Sequence, residues 1–510
     1  MSGGRRVAAV VGSGPAGLTA AILLAQRGWQ VTVFEQHYRA GGCLHRFFRK
    51  GVGFDTGFHY VGSADAGQSF GQVLRHLGVA DQVQLRPLDP DGFDILRFPD
   101  FEFRVPRGVD QWAARLCETF PNEAAGVARY VAIHRECIAA YGLYSLDASV
   151  PPEAILPWEE RSLDSVLEAC FDDPRIKAVI AGHGAPLYGV GPAEAPFGLH
   201  AVVTDHFLGG ASSIVGGGDR LAQVLVARLV QLGGTVRLRC GVASIRTEGG
   251  VAAGLVLESG ESVAAELVVA AIHPKAVLAM LPVGAVRPAY RERVESARSG
   301  MGHIGVYLEV EGDLSPLRAA NLYRYASWSV DTAGDLPFWF LTAPGARGED
   351  AGVVLGLFPT DCVSWAQWAG DLGKRPGGAP ERPAEYEAEK QRLLALFVAS
   401  VQAEFPDWTI RRAEASTPLT MAHYTRVPQG ATYGHHHAID QMGRYRLPVL
   451  TRVRGLVQVG QAVAMPGICG AMMSAYLGVG SIDGLGPLIE AVRSACREAL
   501  PLGLDTLHPA

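Results

Sequence analysis

The sequence predicts an α/β fold: a Rossmann-like nucleotide-binding domain into which an α+β domain is inserted. Three observations carry that expectation. The β-branched run Val7–Val11 leads through Gly12-Ser-Gly-Pro-Ala-Gly17 into a helical segment at residues 18–27 and a second strand at residues 31–35, which is the order of a βαβ unit. A nucleotide-type run of strands returns between residues 235 and 272, after a different pattern of aromatic hairpin and amphipathic helices. A third apolar strand, from Gly455, is followed by a helix opening at Pro466-Gly467.

The glycines of the first turn have separate tasks. Gly12 permits the tight turn, Gly14 lets the backbone approach a pyrophosphate, and Gly17 lets the helix pack closely on the strands. Pro15 and Ala16 complete the turn at the helix N-terminus, where a phosphate would sit. Glu35, about twenty residues on, is placed to accept both hydroxyls of an adenosine ribose, with Gln36 beside it, and would repel a 2′-phosphate. A second glycine turn follows at once, Arg39-Ala-Gly41-Gly42-Cys43, and then Gly53-Phe-Asp-Thr-Gly-Phe-His-Tyr60.

These residues resemble the N-terminal signature of the FAD-dependent carotenoid desaturases, carotenoid isomerases and retinol saturases, the phytoene desaturase-like flavoproteins, with the retinol saturase branch nearest. The resemblance implies that Arg39, Gly41 and Gly42 wrap the flavin phosphates and that the turn with Thr56 and Gly57 approaches the isoalloxazine ring. Cys43 departs from the family, which usually has an aromatic residue or arginine there. At the other end of the chain, residues 455–461 and 466–471 resemble the C-terminal FAD motif. Gly460 and Gln461 would meet the flavin phosphate and ribityl chain, and the helix starting near Gly467 and Ile468 would point its positive end at the pyrimidine edge. Gln461 stands where an acid is common. The backbone near Val242 would meet the adenine. The likeness also touches residues 416–420 and 432–434 and is weaker between.

Composition bounds the remaining possibilities. With 510 residues, 45 Lys and Arg against 51 Asp and Glu, and a net charge of −6, the chain is globular, and it has no basic run that would mark a nucleic-acid partner. Its eight cysteines are dispersed without a C-x-x-C pair, which predicts free thiols and a reducing, cytoplasmic setting. The uncharged stretches after Arg6 and at residues 456–482 are broken by glycine and proline, so both read as βα units and not as a signal peptide or a membrane span. Peripheral contact with a membrane stays open.

Taken in order, residues 93–105 read as a hairpin, and residues 109–120, 123–141 and 162–170 as helices. A helical stretch covers 193–207, and Gly216-Gly-Gly-Asp-Arg220 opens a helix to residue 232. That glycine triplet reads as a capping turn and not a second phosphate loop, since no strand is expected before it. The single dinucleotide fingerprint argues against a built-in NADPH domain. Strands are expected at 303–310 and 353–358, a charged helix at 383–403, and an exposed, mobile loop at 371–383. Residues 336–341 read as a core strand or a lining of a greasy tunnel. His435-His-His437 reads as a surface or cleft loop, because consecutive residues cannot all face one ion; no metal is expected.

The expected division is an FAD-binding domain in three parts (1–85, 206–280, 416–510) and a substrate domain in two (86–205, 281–415). The resemblance implies a hydrophobic polyene substrate, changed by saturation or cis–trans isomerisation, with an unassigned external electron donor or acceptor. Three alternatives stand beside it: a polyene desaturase, an amine or protoporphyrinogen oxidase-like enzyme, and a GDP-dissociation-inhibitor-like binding protein without redox chemistry. His59 and Tyr60, next to the turn expected at the isoalloxazine, are the expected proton donor or its positioning partner.

Overall fold

The computed structural model describes residues 5–330, 333–344, 352–370 and 380–498. Its nucleotide-type sheet has five parallel strands in the order Thr235–Arg237, Gln30–Phe34, Val7–Val11, Leu267–Ala270, Leu456–Gln458. Parallel strands covered on both faces are continuously apolar, which is why Ala8, Val10, Val31, Val33, Val268 and Val269 are all buried. The helix Pro15–Gln26 starts earlier than its hydrophobic period alone suggests, because Pro15 at the first helical position needs no N–H partner. It packs against the helices Gly217–Gln231 and Gly467–Asp483.

The second sheet is larger. Seven strands run in the order Thr409–Ser416, Gly302–Glu311, Val353–Thr360, Phe338–Thr342, Asn321–Tyr325, Asp94–Phe98, Phe101–Val105, all antiparallel except the pairing of Asn321–Tyr325 with Asp94–Phe98. The helices Val109–Thr119, Ala124–Ala139, Leu163–Cys170, Pro174–Tyr188 and Phe197–Leu208 cover its hairpin end with an aromatic-rich core. No described helix is long and apolar enough to cross a membrane, and all eight cysteines are unpaired.

Several expectations need correction. The helix Pro174–Tyr188 goes unread in the sequence because Gly182, Gly184 and an interior Pro186 disguise its period. The helix expected from residue 193 begins at Phe197, after Pro196. A strand does precede the glycine triplet: Ala211–Ile214 pairs with Val61–Gly62 and Leu85–Pro87, outside the nucleotide sheet. Gly216 caps the helix as expected, at φ +83°. A Cβ on Gly217 would lie 2.3 Å from Asp55 Oδ1, so the anion at this helix start is the protein's own carboxylate. Of the surface or cleft positions expected for the histidine triplet, the surface one is excluded: His435 and His437 are buried, directly after Thr432, Tyr433 and Gly434 of the cavity wall; no metal-binding group of side chains occurs among the described residues. Residues 371–379 of the expected mobile loop lie outside the described residues.

Candidate active site

A cavity of about 950 Å³ joins the two sheets. At one end it is made of backbone. Gly12 takes φ +94°, and a Cβ there would meet Ala271 O at 2.9 Å; on Gly17 it would sit 2.1 Å from Gly12 O. Gly14 differs: a Cβ would have nothing within 4 Å, because the turn opens onto the cavity beside Pro15 and Ala16. Gly460 and Gly467 are equally open and line the same space with Gln461 and Ile468. The helices starting at Pro15 and Gly467 have neither a side-chain cap nor an acid in the first turn. Their first N–H groups and positive ends are thus left for a ligand. This cradle fits a diphosphate-bearing cofactor.

The second glycine turn locks onto the first. Gly41 donates to Ser13 O at 3.0 Å, and a Cβ on Gly42 would stand 3.2 Å from Gly14 Cα. Of the residues expected at the cofactor, Gly17 and Gly41 do not reach the cavity and act in packing; the others all line it. Glu35 is buried and already accepts from Ser13 N at 2.9 Å and Ser13 Oγ at 2.6 Å through Oε2, and from His37 N at 2.8 Å through Oε1. About one of its four acceptor positions is left for a ribose hydroxyl. Arg39 bonds Arg46 O at 3.1 Å and pairs with Asp219 at 3.6 Å, while Gln36 reaches Tyr424 O at 3.1 Å.

Thr56 clamps the second turn by donating to His45 O at 2.9 Å, and Gly57 stands against Cys43. Burial pushes the Cys43 thiol up to about 11, so this residue offers neither charge nor thiolate chemistry. Val242 opens the strand Val242–Glu248 at the cavity edge. Gln461 spends its amide N–H on Thr432 O at 2.9 Å, which leaves its side-chain oxygen to accept.

The other end is made of side chains. Strand periodicity puts Phe338 and Phe340 on the cavity while Trp339 and Leu341 pack into the neighbouring core; the stretch is both core strand and lining. Val202, Val203 and Phe207 join from the helix Phe197–Leu208, and Leu143 and Ile155 from the segment that follows the helix Ala124–Ala139. Half-buried His59 lies 5.5 Å from the Phe340 ring. Tyr60 turns its hydroxyl into the wall, 2.9 Å from Asp94 and 2.7 Å from Tyr323. His303, absent from the expected set, lines the cavity with Nδ1 at 2.5 Å from Thr432 Oγ1. Burial, with His59 nearby, brings its pKa down to about 4. No local motif marks His303 or Tyr323; an acid within the apolar run 93–98 was the sole signal for Asp94.

The model of the flavin containing amine oxidoreductases matches residues 15–478. The chain belongs to this flavin containing amine oxidoreductase family. A flavin family joined to a dinucleotide cradle means that the cofactor is FAD and the protein an FAD-dependent oxidoreductase. Among curated relatives, human all-trans-retinol 13,14-reductase is 26% identical over 92% of this chain and 84% of its own length. Prolycopene isomerase of Arabidopsis thaliana is 24% identical over 92% and 81%. Among solved structures, wild-type putrescine oxidase bound to putrescine superposes with a TM-score of 0.63 at 16% identity, over 94% of this chain and 99% of that one.

Proposed function

We propose that this flavin oxidoreductase acts on carbon–carbon bonds of a hydrophobic polyene, by saturation or cis–trans isomerisation. The observation that carries the reading is the division of charge in the cavity. Its carboxylates are Glu35, Asp147 and Glu414, none of them among the Phe207, Phe338 and Phe340 wall. An ammonium substrate would need an anchor in that desolvated limb, whereas a polyene needs only apolar surface. The relatives whose names specify a retinol reductase and a prolycopene isomerase support the same substrate class.

Bound FAD supplies a hydride or accepts one. The chain's residues do the rest. Gly12, Gly14, Pro15, Ala16 and Gly42 would hold the diphosphate, Glu35 and Gln36 the ribose, and Val242 the adenine. Thr56, Gly57, Gly460, Gln461, Gly467 and Ile468 would hold the flavin half. Arg39 would act from the rim. The aromatic limb excludes water and aligns the conjugated chain, and His59 or Tyr60 manages the proton. The substrate is a hydrophobic small molecule, delivered in the cytoplasm or from peripheral contact with a membrane.

Reduced enzyme incubated anaerobically with a conjugated polyene in deuterated water tests this. Saturation shortens the conjugation and adds two hydrogens across the bond, both labelled in deuterated water because the N5–H of reduced flavin exchanges with solvent; isomerisation changes geometry without loss of conjugation. Lengthened conjugation with oxidised enzyme would make the protein a desaturase, and turnover of amines alone would end the polyene reading.

A further inference from the structure

One arginine of the cavity wall stands apart from the other three. Arg39, Arg49 and Arg426 pair with Asp219, Glu414 and Glu258, and a third or more of each arginine side chain is exposed. The side chain of Arg446 is 19% exposed and pairs with that of Glu159, which is 0% exposed. Arg446 Nη2 lies 4.0 Å from Met442 Sδ and 3.9 Å from Met465 Sδ, and Met465 packs against the same aromatic-rich core as Phe207. Tyr141, whose hydroxyl donates to Glu159 Oε1 at 3.2 Å, lines the cavity with Arg446. This cation therefore belongs to the aromatic end and not to the nucleotide end.

The pair is closed on one side and open on the other. Glu159 accepts from Arg446 Nη2 and Tyr141 through Oε1, and from Gly443 N at 2.8 Å through Oε2, so its charge is matched and both oxygens are taken. A guanidinium has five N–H donors, and Arg446 spends its own at Nη2 alone among the described residues. Its Nε is buried without a partner, and Nη1 is left for a ligand. Unspent donors beside apolar side chains are costly until a ligand brings an acceptor. Fold stability gives no reason for the cation: holding Tyr141 and Gly443 needs only an acceptor at position 159, which a glutamine would supply.

We propose that Arg446 determines specificity for one end of the substrate, and that this end carries a neutral oxygen, a hydroxyl or a carbonyl. The proposal rests on the polyene reading above and narrows it to an oxygen-terminated chain. The charge of the pair discriminates among chain ends. A hydrocarbon end leaves Nη1 unbonded. A carboxylate would accept from it but, because Glu159 already cancels the guanidinium charge, would bury a net negative charge. An ammonium end has no acceptor and meets a cation. A hydroxyl or carbonyl oxygen accepts from Nη1 and adds no charge. Arginine only donates, so an alcohol and a ketone are bound alike.

The test uses the full-length, FAD-loaded, oxidised protein and four probes of one chain length: a conjugated polyene hydrocarbon, and the same polyene ending in an alcohol, a methyl ketone or a carboxylic acid. Quenching of tryptophan fluorescence measures binding. The alcohol and the ketone should bind about tenfold tighter than the hydrocarbon, and tighter than the acid. Glu159→Gln combined with Arg446→Met removes both charges and keeps the acceptor for Tyr141 and Gly443. This variant should bind the alcohol and the ketone about tenfold more weakly than wild type, with the hydrocarbon unchanged. Wild type that binds the hydrocarbon or the acid tightest overturns the proposal, as does a variant that keeps the preference for the alcohol or loses affinity for all four probes equally. Should the variant not fold, the wild-type series decides alone. Quenching by none of the four probes would remove the underlying polyene reading instead.

Discussion

The two ends of the cavity are built from different materials. The nucleotide end is backbone: three open glycines, two uncapped helix starts and a single committed carboxylate, Glu35. The aromatic end is side chain: Phe207, Phe338 and Phe340 over a buried hydroxyl and carboxylate chain. Backbone geometry of this kind fits a diphosphate whatever the rest of the ligand is. Side chains on a scaffold can be exchanged without disturbing it, so specificity resides at the aromatic end.

The largest effect that would break this contrast is expected at Gly17. A methyl group there meets Gly12 O at 2.1 Å, so Gly17→Ala should cost about 3 kcal/mol or more and lower the melting temperature even with flavin absent. An unchanged apoprotein melt would refute the packing role. Gly14→Val is the opposite case. Its Cβ has open space, so the apoprotein should melt normally while purified protein carries almost no FAD. Wild-type flavin content in that variant would mean that the diphosphate lies elsewhere.

At the aromatic end, His59→Ala should leave flavin content intact and slow polyene turnover about a hundredfold; stopped-flow reoxidation of reduced enzyme measures it. Loss of flavin with unchanged chemistry would move His59 to the nucleotide side of the comparison. The smallest effect is expected for Glu35→Ala. Removing a charged acceptor should weaken FAD binding roughly ten- to hundredfold, read by titration of apoprotein. The same change strands the N–H groups of Ser13 and His37, at about 1–3 kcal/mol, so a modest fall in melting temperature accompanies it. Flavin affinity equal to wild type would show that Glu35 only holds the turn.

Everything that the sequence determined by itself is short-range. The Gly12–Gly17 turn, Glu35, the Arg39–Gly42 turn and the Gly467 helix start are legible because a backbone turn depends on residues within a few positions of one another. The antiparallel hairpin Asp94–Phe98 with Phe101–Val105 was legible for the same reason. The helix Pro174–Tyr188 was not, because its glycines and proline contradict local propensity and burial against the sheet overrides them. The tertiary structure alone decided that Tyr60, Asp94, His183, Asn321 and Tyr323 share one buried network. Tyr60 and Tyr323 are separated by 263 positions, and no periodicity extends across such a gap. Hydrogen bonds between side chains become specified only when packing of distant elements removes water from between them.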